Sequence, residues 1–224
     1  MSGSEYAPPP CWPSGLFSVV YADPPWRYGM RKWGKDTIMG SRGSDTRLNY
    51  DTMTQADMES LPVHSIAAAT SLCFMWATFP TLPDAIALMK AWGFTYKTAA
   101  FVWVKKTKRD KVFWGMGAYT RANAEVVLLG TMGNNTALIQ RHDVHQVVFA
   151  PVAGHSQKPD EVRDRIVRLC GDVPRVELFA RERVQGWEAW GNEVEANPAF
   201  EPTAARPGPS VGSKGNVGLR EMDT

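Results

Sequence analysis

Cysteine is scarce in this sequence. Cys11, Cys73 and Cys170 form an odd, widely spaced set, which implies neither a disulfide framework nor a metal site and suits a reducing compartment. No charged-then-apolar leader opens the chain, and no apolar run reaches the roughly 20 residues that a bilayer span needs. A cytoplasmic protein without a membrane partner is therefore expected. The net charge is only +2, so any binding of nucleic acid has to rest on local patches rather than on the global field. No Gly-x-Gly-x-x-Gly follows any strand-like run, which removes a dinucleotide-type phosphate grip. Internal repeats, zinc fingers and other appended RNA-binding modules are absent too.

What is present is an ordinary globular composition, 44% hydrophobic and 21% charged, long enough for one domain with appendages. Residues 1–15 contain Pro8, Pro9, Pro10 and Pro13 among small residues and are expected to form a flexible arm. Residues 194–224 carry Pro198, Pro202, Pro207 and Pro209 with a single aromatic, Phe200. Such a tail buries too little apolar surface to offset its ordering entropy, so disorder is expected. The folded body is thereby placed at 16–193.

The chain is organised around Phe17–Ala22, an apolar run that stops at Asp23-Pro24-Pro25-Trp26. Its β-branched and aromatic residues predict a buried strand ending in a rigid, extended turn, because each proline biases the residue before it away from helix. A carboxylate then stands at the carboxyl end of a strand, where open α/β sheets bind ligands. An aromatic amine such as that of adenine is a poor nucleophile, its lone pair being delocalised into the ring. If the Asp23 carboxylate and the Pro24 carbonyl each accept one N–H, the nitrogen is drawn toward pyramidal geometry and its lone pair is freed. Trp26 offers a flat face for stacking, worth about 1–3 kcal/mol per base. The bland alternative is a strand, a proline turn and an Asp that caps a neighbour.

Residues 27–49 have no sustained period and mix Gly29, Gly34, Gly40 and Gly43 with Arg27, Arg31, Lys32, Lys35, Arg42 and Arg47. They are expected to form a lid or target-recognition loop, or else a flexible insertion. Thr54 and Asp57 predict a capping box opening a short helix that Pro62 ends. Ser71–Thr78, Thr95–Val104, Ala124–Gly130, Val144–Ala150 and Val176–Ala180 read as strands. Leu82–Trp92 reads as a helix with Ile86 and Met89 on its inner face, and a second helix follows Ser156 and Pro159 and ends at Gly171. Strands alternating with helices argue for an α/β sandwich with a mostly parallel sheet. The run Lys105–Lys111 reads first as a solvated loop, and its length and sign also suit phosphate contacts. Lys158, Arg181, Asn192 and Glu193 have the chemistry to hold a nucleoside carrying a carboxylate, although by spacing alone they read as surface polar residues.

Taken in order, Tyr21-Ala22-Asp23-Pro24-Pro25-Trp26, Tyr50-Asp51-Thr52-Met53, Phe74-Met75-Trp76, Trp92-Gly93-Phe94, Trp103-Val104-Lys105, Gly115-Met116-Gly117, Glu125 before Leu128-Leu129-Gly130, Lys158-Pro159-Asp160-Glu161, Glu177-Leu178-Phe179-Ala180-Arg181 and Trp190-Gly191-Asn192-Glu193 make 16–193 resemble one family. It is the family of the eukaryotic messenger-RNA adenine methyltransferase catalytic subunit and its bacterial and phage relatives. The resemblance implies a Rossmann-like fold in which the catalytic motif precedes the main cofactor-binding elements. It implies S-adenosyl-L-methionine as cofactor and the N(6) amine of adenine as acceptor. Asp23, Pro24, Pro25 and Trp26 would form the catalytic motif, with Asp23 also near the cofactor's amino group. Trp26 and Tyr50 would line the base pocket; Lys105 and Lys106, which open the charge run, are expected from its sign and length to meet the nucleic acid. Lys158 and Arg181 would face the methionine carboxylate, and Asn192 and Glu193 the ribose. Where the eukaryotic enzyme has Asn shortly after its Arg, this chain has Val184, so the carboxylate forgoes that partner or finds another. Glu193 stands in place of Gln, as a pure acceptor.

The small chain favours DNA over RNA as partner, and leaves homo- or hetero-oligomers open. The rivals are an RNA methyltransferase, a catalytically silent nucleic-acid-binding subunit, and a methyltransferase acting on a glutamine amide. Asp rather than Asn and Trp rather than Tyr in the motif weigh against the last.

Overall fold

The run Phe17–Ala22 forms β1, a strand buried on both faces: Val20 and Ala22 belong to one apolar cluster, Val19 and Tyr21 to the other. That two-sided burial is why it reads as a continuous apolar run rather than an alternating one. The fold is a computed structural model describing residues 11–26, 52–115, 119–153 and 157–194. After β1 come α1 (Gln55–Ser60), β2 (Ala67–Ala77), α2 (Leu82–Ala91), β3 (Thr95–Lys106), β4 (Ala124–Met132), β5 (Val147–Pro151), α3 (Glu161–Cys170), β6 (Arg175–Leu178) and β7 (Glu188–Trp190). The strands form a seven-stranded sheet in the order β5-β3-β4-β2-β1-β6-β7.

Helices cover both faces. Met58 of α1 and Ala85, Leu88 and Met89 of α2 pack on one side, and Val162, Ile166 and Cys170 of α3 on the other. The expected sandwich is therefore present, but the sheet is mixed rather than mostly parallel throughout. β4 pairs antiparallel with both β2 and β3, whereas β1–β2, β1–β6, β3–β5 and β6–β7 are parallel. The reason is the connection: α2 carries β2 across to β3, while residues 107–123 return directly from β3 into β4 and so reverse its direction.

Thr54 and Asp57 do form the reciprocal capping box at α1. In α2 the inner face is Ala85, Leu88 and Met89, and Ile86 is 37% exposed, correcting its expected place. Helix α3 starts at Glu161 and stops at Gly171, whose φ of 74° suits a residue without Cβ. Ser156 and residues 27–49 lie outside the described residues, as do 1–10 and 195–224 and the arm and tail expectations that concern them. β7 has no counterpart among the strands expected from sequence. Its three residues are too few for a periodicity to be read, and pairing with β6 defines it.

Candidate active site

The topology sends chemistry to one edge. The parallel strands β1, β2, β6 and β7 end there, as does β3, and the reversed β4 begins there, with Trp103 opposite Glu125. That edge is the ligand side of an open α/β sheet.

Asp23 follows β1 at this edge, its backbone N–H donating to the Leu178 carbonyl at 3.5 Å. The proline pair then makes a tight corner in which the Pro24 carbonyl accepts the Trp26 N–H at 2.8 Å and the Pro25 carbonyl accepts the Met53 N–H at 3.2 Å. The Pro24 oxygen is thus aimed by an internal bond and keeps a second lone pair for another donor. Trp26 is 6% exposed, packs in the core, and donates its indole N–H to the Trp76 carbonyl at 3.2 Å. Its place here is under the corner as a support, with little ring face open.

A chain of alternating charges runs across the edge. Lys158 Nζ lies 2.9 Å from Asp23 Oδ2 and 3.5 Å from Glu125 Oε2, and Lys105 Nζ lies 2.5 Å from Glu125 Oε1. Both ammonium groups sit over indoles, Lys158 at 5.4 Å from the Trp76 centroid and Lys105 at 5.0 Å from that of Trp103. Burial pushes the Asp23 carboxyl above its ordinary value; Lys158 pulls it back and Glu125 pushes it up again. Glu125 is also raised by burial, but Lys158 and Lys105 outweigh that and hold it below the usual carboxylate range. The edge therefore holds a secure carboxylate, Glu125, and a more basic one, Asp23.

Beneath it, the buried Glu177 of β6 accepts two hydrogen bonds from Arg163 of α3, at 2.8 and 3.2 Å. Burial still raises its carboxyl, with Arg163 opposing. Phe179, just past β6, has a φ of 62°, a backbone state rare for an aromatic residue and costing about 1–3 kcal/mol. Its ring is held between Trp92 and Trp190. Gly191 fits because a Cβ there would lie 2.1 Å from the Ala180 carbonyl oxygen. That close approach brings the segments after β6 and β7 together, and Arg181 Nε lies 3.7 Å from Glu193 Oε1. Arg181 also lowers Asp23 electrostatically, which puts both in one field.

Of the residues singled out in the sequence, Asp23, Pro24, Pro25, Lys158, Arg181, Asn192 and Glu193 follow β1, β5, β6 and β7 and share this edge. Tyr50 lies outside the described residues. Lys105 and Lys106 end β3, and each has an acidic partner: Lys105 the Glu125 carboxylate, Lys106 that of Asp110 at 2.6 Å. Lys105 is thereby part of the charge chain rather than a cation awaiting a phosphate. Val184 packs against the second apolar cluster, so it leaves no polar group at the edge. Glu125 is a site member that sequence reasoning treats only as a family landmark. Its signal is a carboxylate beginning a buried strand, legible only once the strand's reversed direction is known.

The sheet and its edge define an α/β fold that carries a carboxylate in a proline-locked corner on its ligand side. Residues 17–193 match the MT-A70 family model, and the chain belongs to that family of methyltransferases. It is 34% identical over 203 residues to the type II methyltransferase M.MunI of Mycoplasma sp., covering 87% of this chain and 84% of that one. It is 28% identical to the human N(6)-adenosine-methyltransferase catalytic subunit METTL3, over 84% of this chain but 30% of that protein. An N(6)-adenosine-methyltransferase MT-A70-like protein of Drosophila melanogaster matches at 29% identity, over 84% of this chain and 28% of its own length.

Proposed function

We propose that this protein transfers the methyl group of S-adenosyl-L-methionine to the N(6) amine of adenine in DNA. The observation that carries the reading is the Asp23-Pro24-Pro25 corner at the carboxyl end of β1, tied to Lys158 at 2.9 Å. The DNA arm is supported by likeness to a type II methyltransferase over most of both chains, against matches to under a third of the adenosine-methyltransferases.

The donor set suits the cofactor. Lys158 and Arg181 are cations for its carboxylate, Asp23 an acceptor for its ammonium, and Asn192 and Glu193 partners for ribose hydroxyls. When bound, S-adenosyl-L-methionine supplies an electrophilic methyl carbon on a sulfonium. Asp23 accepts one N–H of the adenine amine and the free lone pair of the Pro24 carbonyl accepts the other, so the nitrogen's own lone pair turns toward the methyl donor. The raised carboxyl of Asp23 makes it a stronger acceptor for the proton that this nitrogen sheds. Lys158 opposes that rise and favours the ionised form, while Glu125 holds Lys158 in place. The adenine is read either out of the stack or in single-stranded DNA.

The test is transfer of labelled methyl to matched single- and double-stranded DNA and RNA, followed by digestion to nucleosides, with Asp23→Ala in parallel. N(6)-methyldeoxyadenosine from the wild type alone is expected. Methyladenosine from RNA only would replace the DNA reading, and near-normal transfer by Asp23→Ala would overturn the role of the corner.

A further inference from the structure

Ahead of β1 the chain is fastened to the sheet by side chains alone. Among the described residues no backbone hydrogen bond ties 12–16 to the body; the first is from Phe17 N–H to the Ile66 carbonyl, at 2.8 Å. Pro13 is buried and Trp12 partly so, whereas Cys11, Ser14, Gly15 and Leu16 are exposed. The ring of Trp12 meets that of Trp190 edge to face, 4.7 Å between centroids and 72° between planes. A buried indole N–H usually finds an acceptor. Among the described residues that of Trp12 has none, so the contact with Trp190 is what fixes its place. Trp190 closes the carboxyl end of β7 and Phe17 opens β1, so residues 12–16 run back along one face of the sheet as a strap.

Trp12 is the outer member of a column of four rings in one apolar cluster. Trp190 packs on Phe179 at 5.6 Å, and Phe179 on Trp92 at 6.4 Å. The inner end is anchored, because the Trp92 indole N–H donates to the Met58 carbonyl of α1 at 2.9 Å. Trp190 joins this column to both halves of the cofactor pocket. Its carbonyl accepts the Ala180 N–H at 2.9 Å, one residue ahead of Arg181, and Gly191 leads from it to Asn192 and Glu193. A ring packed on both sides keeps one orientation; with one side open it can tilt. A tilt of Trp190 would move Arg181 and Asn192 together.

We propose that Trp12 is a positioning residue for S-adenosyl-L-methionine: it closes the column against Trp190 and so holds Arg181 and Asn192 where the cofactor's carboxylate and ribose meet them. This rests on the reading of the pocket given above. Trp12 touches no reacting atom, so its effect falls on cofactor affinity and leaves the methyl-transfer step to the Asp23 corner. A ring that merely sealed the flank of the sheet would act on stability alone.

The experiment uses the full chain with Trp12→Ala, Trp12→Phe and Ile166→Val, the last in the apolar cluster on the opposite face. Binding of S-adenosyl-L-methionine and S-adenosyl-L-homocysteine is read by calorimetry, with kcat, KM for cofactor and for DNA, and melting temperature alongside. Trp12→Ala is expected to weaken cofactor binding about 10-fold, the scale of one lost aromatic contact. Its KM for cofactor should rise in step, with kcat at saturation and KM for DNA within about 2-fold of wild type. Trp12→Phe should restore most of the affinity. Ile166→Val should lower the melting temperature and leave cofactor affinity unchanged. Wild-type cofactor affinity in Trp12→Ala would overturn this inference and leave the methylation reading standing. So would a parallel loss of cofactor affinity in Ile166→Val, or an equal rise in KM for DNA in Trp12→Ala, each the mark of a general loosening. A wild type that binds neither S-adenosyl compound would overturn the reading of the pocket as well.

Discussion

Burial of Asp23 and its ion pair with Lys158 act in opposite directions on the same carboxyl, and the sum lies above the ordinary 3.8. Only the ionised form accepts both an amine N–H and a cofactor ammonium, so activity should rise with pH through the Asp23 titration and show its acid limb above that value. Removing the cation by Lys158→Gln takes away the influence that lowers the carboxyl, and the acid limb of kcat/KM should move to higher pH. Glu125→Gln takes away a neighbouring negative charge that raises it, and the limb should move to lower pH. Opposite shifts in the two pH profiles are the expected result; shifts of the same sign would show that Glu125 acts through something other than charge. Asp23→Ala should lower turnover by at least about 10²-fold, the scale on which aligned hydrogen-bonding groups contribute, with the fold intact by circular dichroism. The motif residues are legible from sequence because proline confines its own backbone and that of the residue before it. The network around them is not. Glu125 and Lys105 are separated from Lys158 by whole elements, and only strand pairing sets them side by side.

At the scale of elements, two joints hold the edge in shape. Arg163 of α3 covers Glu177 of β6 with two hydrogen bonds in a buried place. Arg163→Met would leave that carboxylate buried without its cation, costing about 3–5 kcal/mol in urea unfolding, much of it recovered in Arg163→Met/Glu177→Leu. The sign with pH follows from Glu177 already lying above its ordinary 4.5. A carboxyl raised in the folded state favours folding while protonated, so the deficit of Arg163→Met should shrink as pH falls and grow as pH rises through the folded value. The second joint is Gly191 against Ala180. A methyl group there would meet a backbone oxygen at 2.1 Å, which backbone must yield to by moving. Gly191→Ala should lower the melting temperature by about 3 °C or more and weaken S-adenosyl-L-methionine binding, read by calorimetry. Elements with a strong local signature are legible, as the capping box at Thr54 and Asp57 shows. Ile86 is misplaced by sequence because a ten-residue helix rich in Ala has a broad apolar face, and the packing partner decides which flank is covered. The run from Lys105 to Lys111 reads as one loop, yet its first two lysines complete β3 and only the remainder turns.

For the molecule as a whole, the three cysteines report how uniformly the sandwich is closed. Cys11 is exposed, whereas Cys73 in β2 and Cys170 in α3 are buried on opposite faces of the sheet. Burial pushes the Cys170 thiol up to about 12 and the Cys73 thiol also well above its usual range. A thiol reagent at pH 8 should modify one cysteine in the native protein and three in denaturant, the two slow sites following the unfolding transition. Separate rates for Cys73 and Cys170 would show that the two faces open independently.

By itself the sequence determined the local grammar of this protein: a buried strand, a proline-locked carboxylate, capped helices and a family resemblance running from residue 16 to 193. These depend on dihedral restriction and on periodicity, which neighbouring residues carry. The tertiary structure alone decided that β4 runs against its neighbours, that Trp26 supports the corner from within, and that Lys105 and Glu125 join Lys158 beside Asp23. Those outcomes depend on which distant strands pair and in which direction, and the free energy of that pairing comes from two apolar faces closing at once.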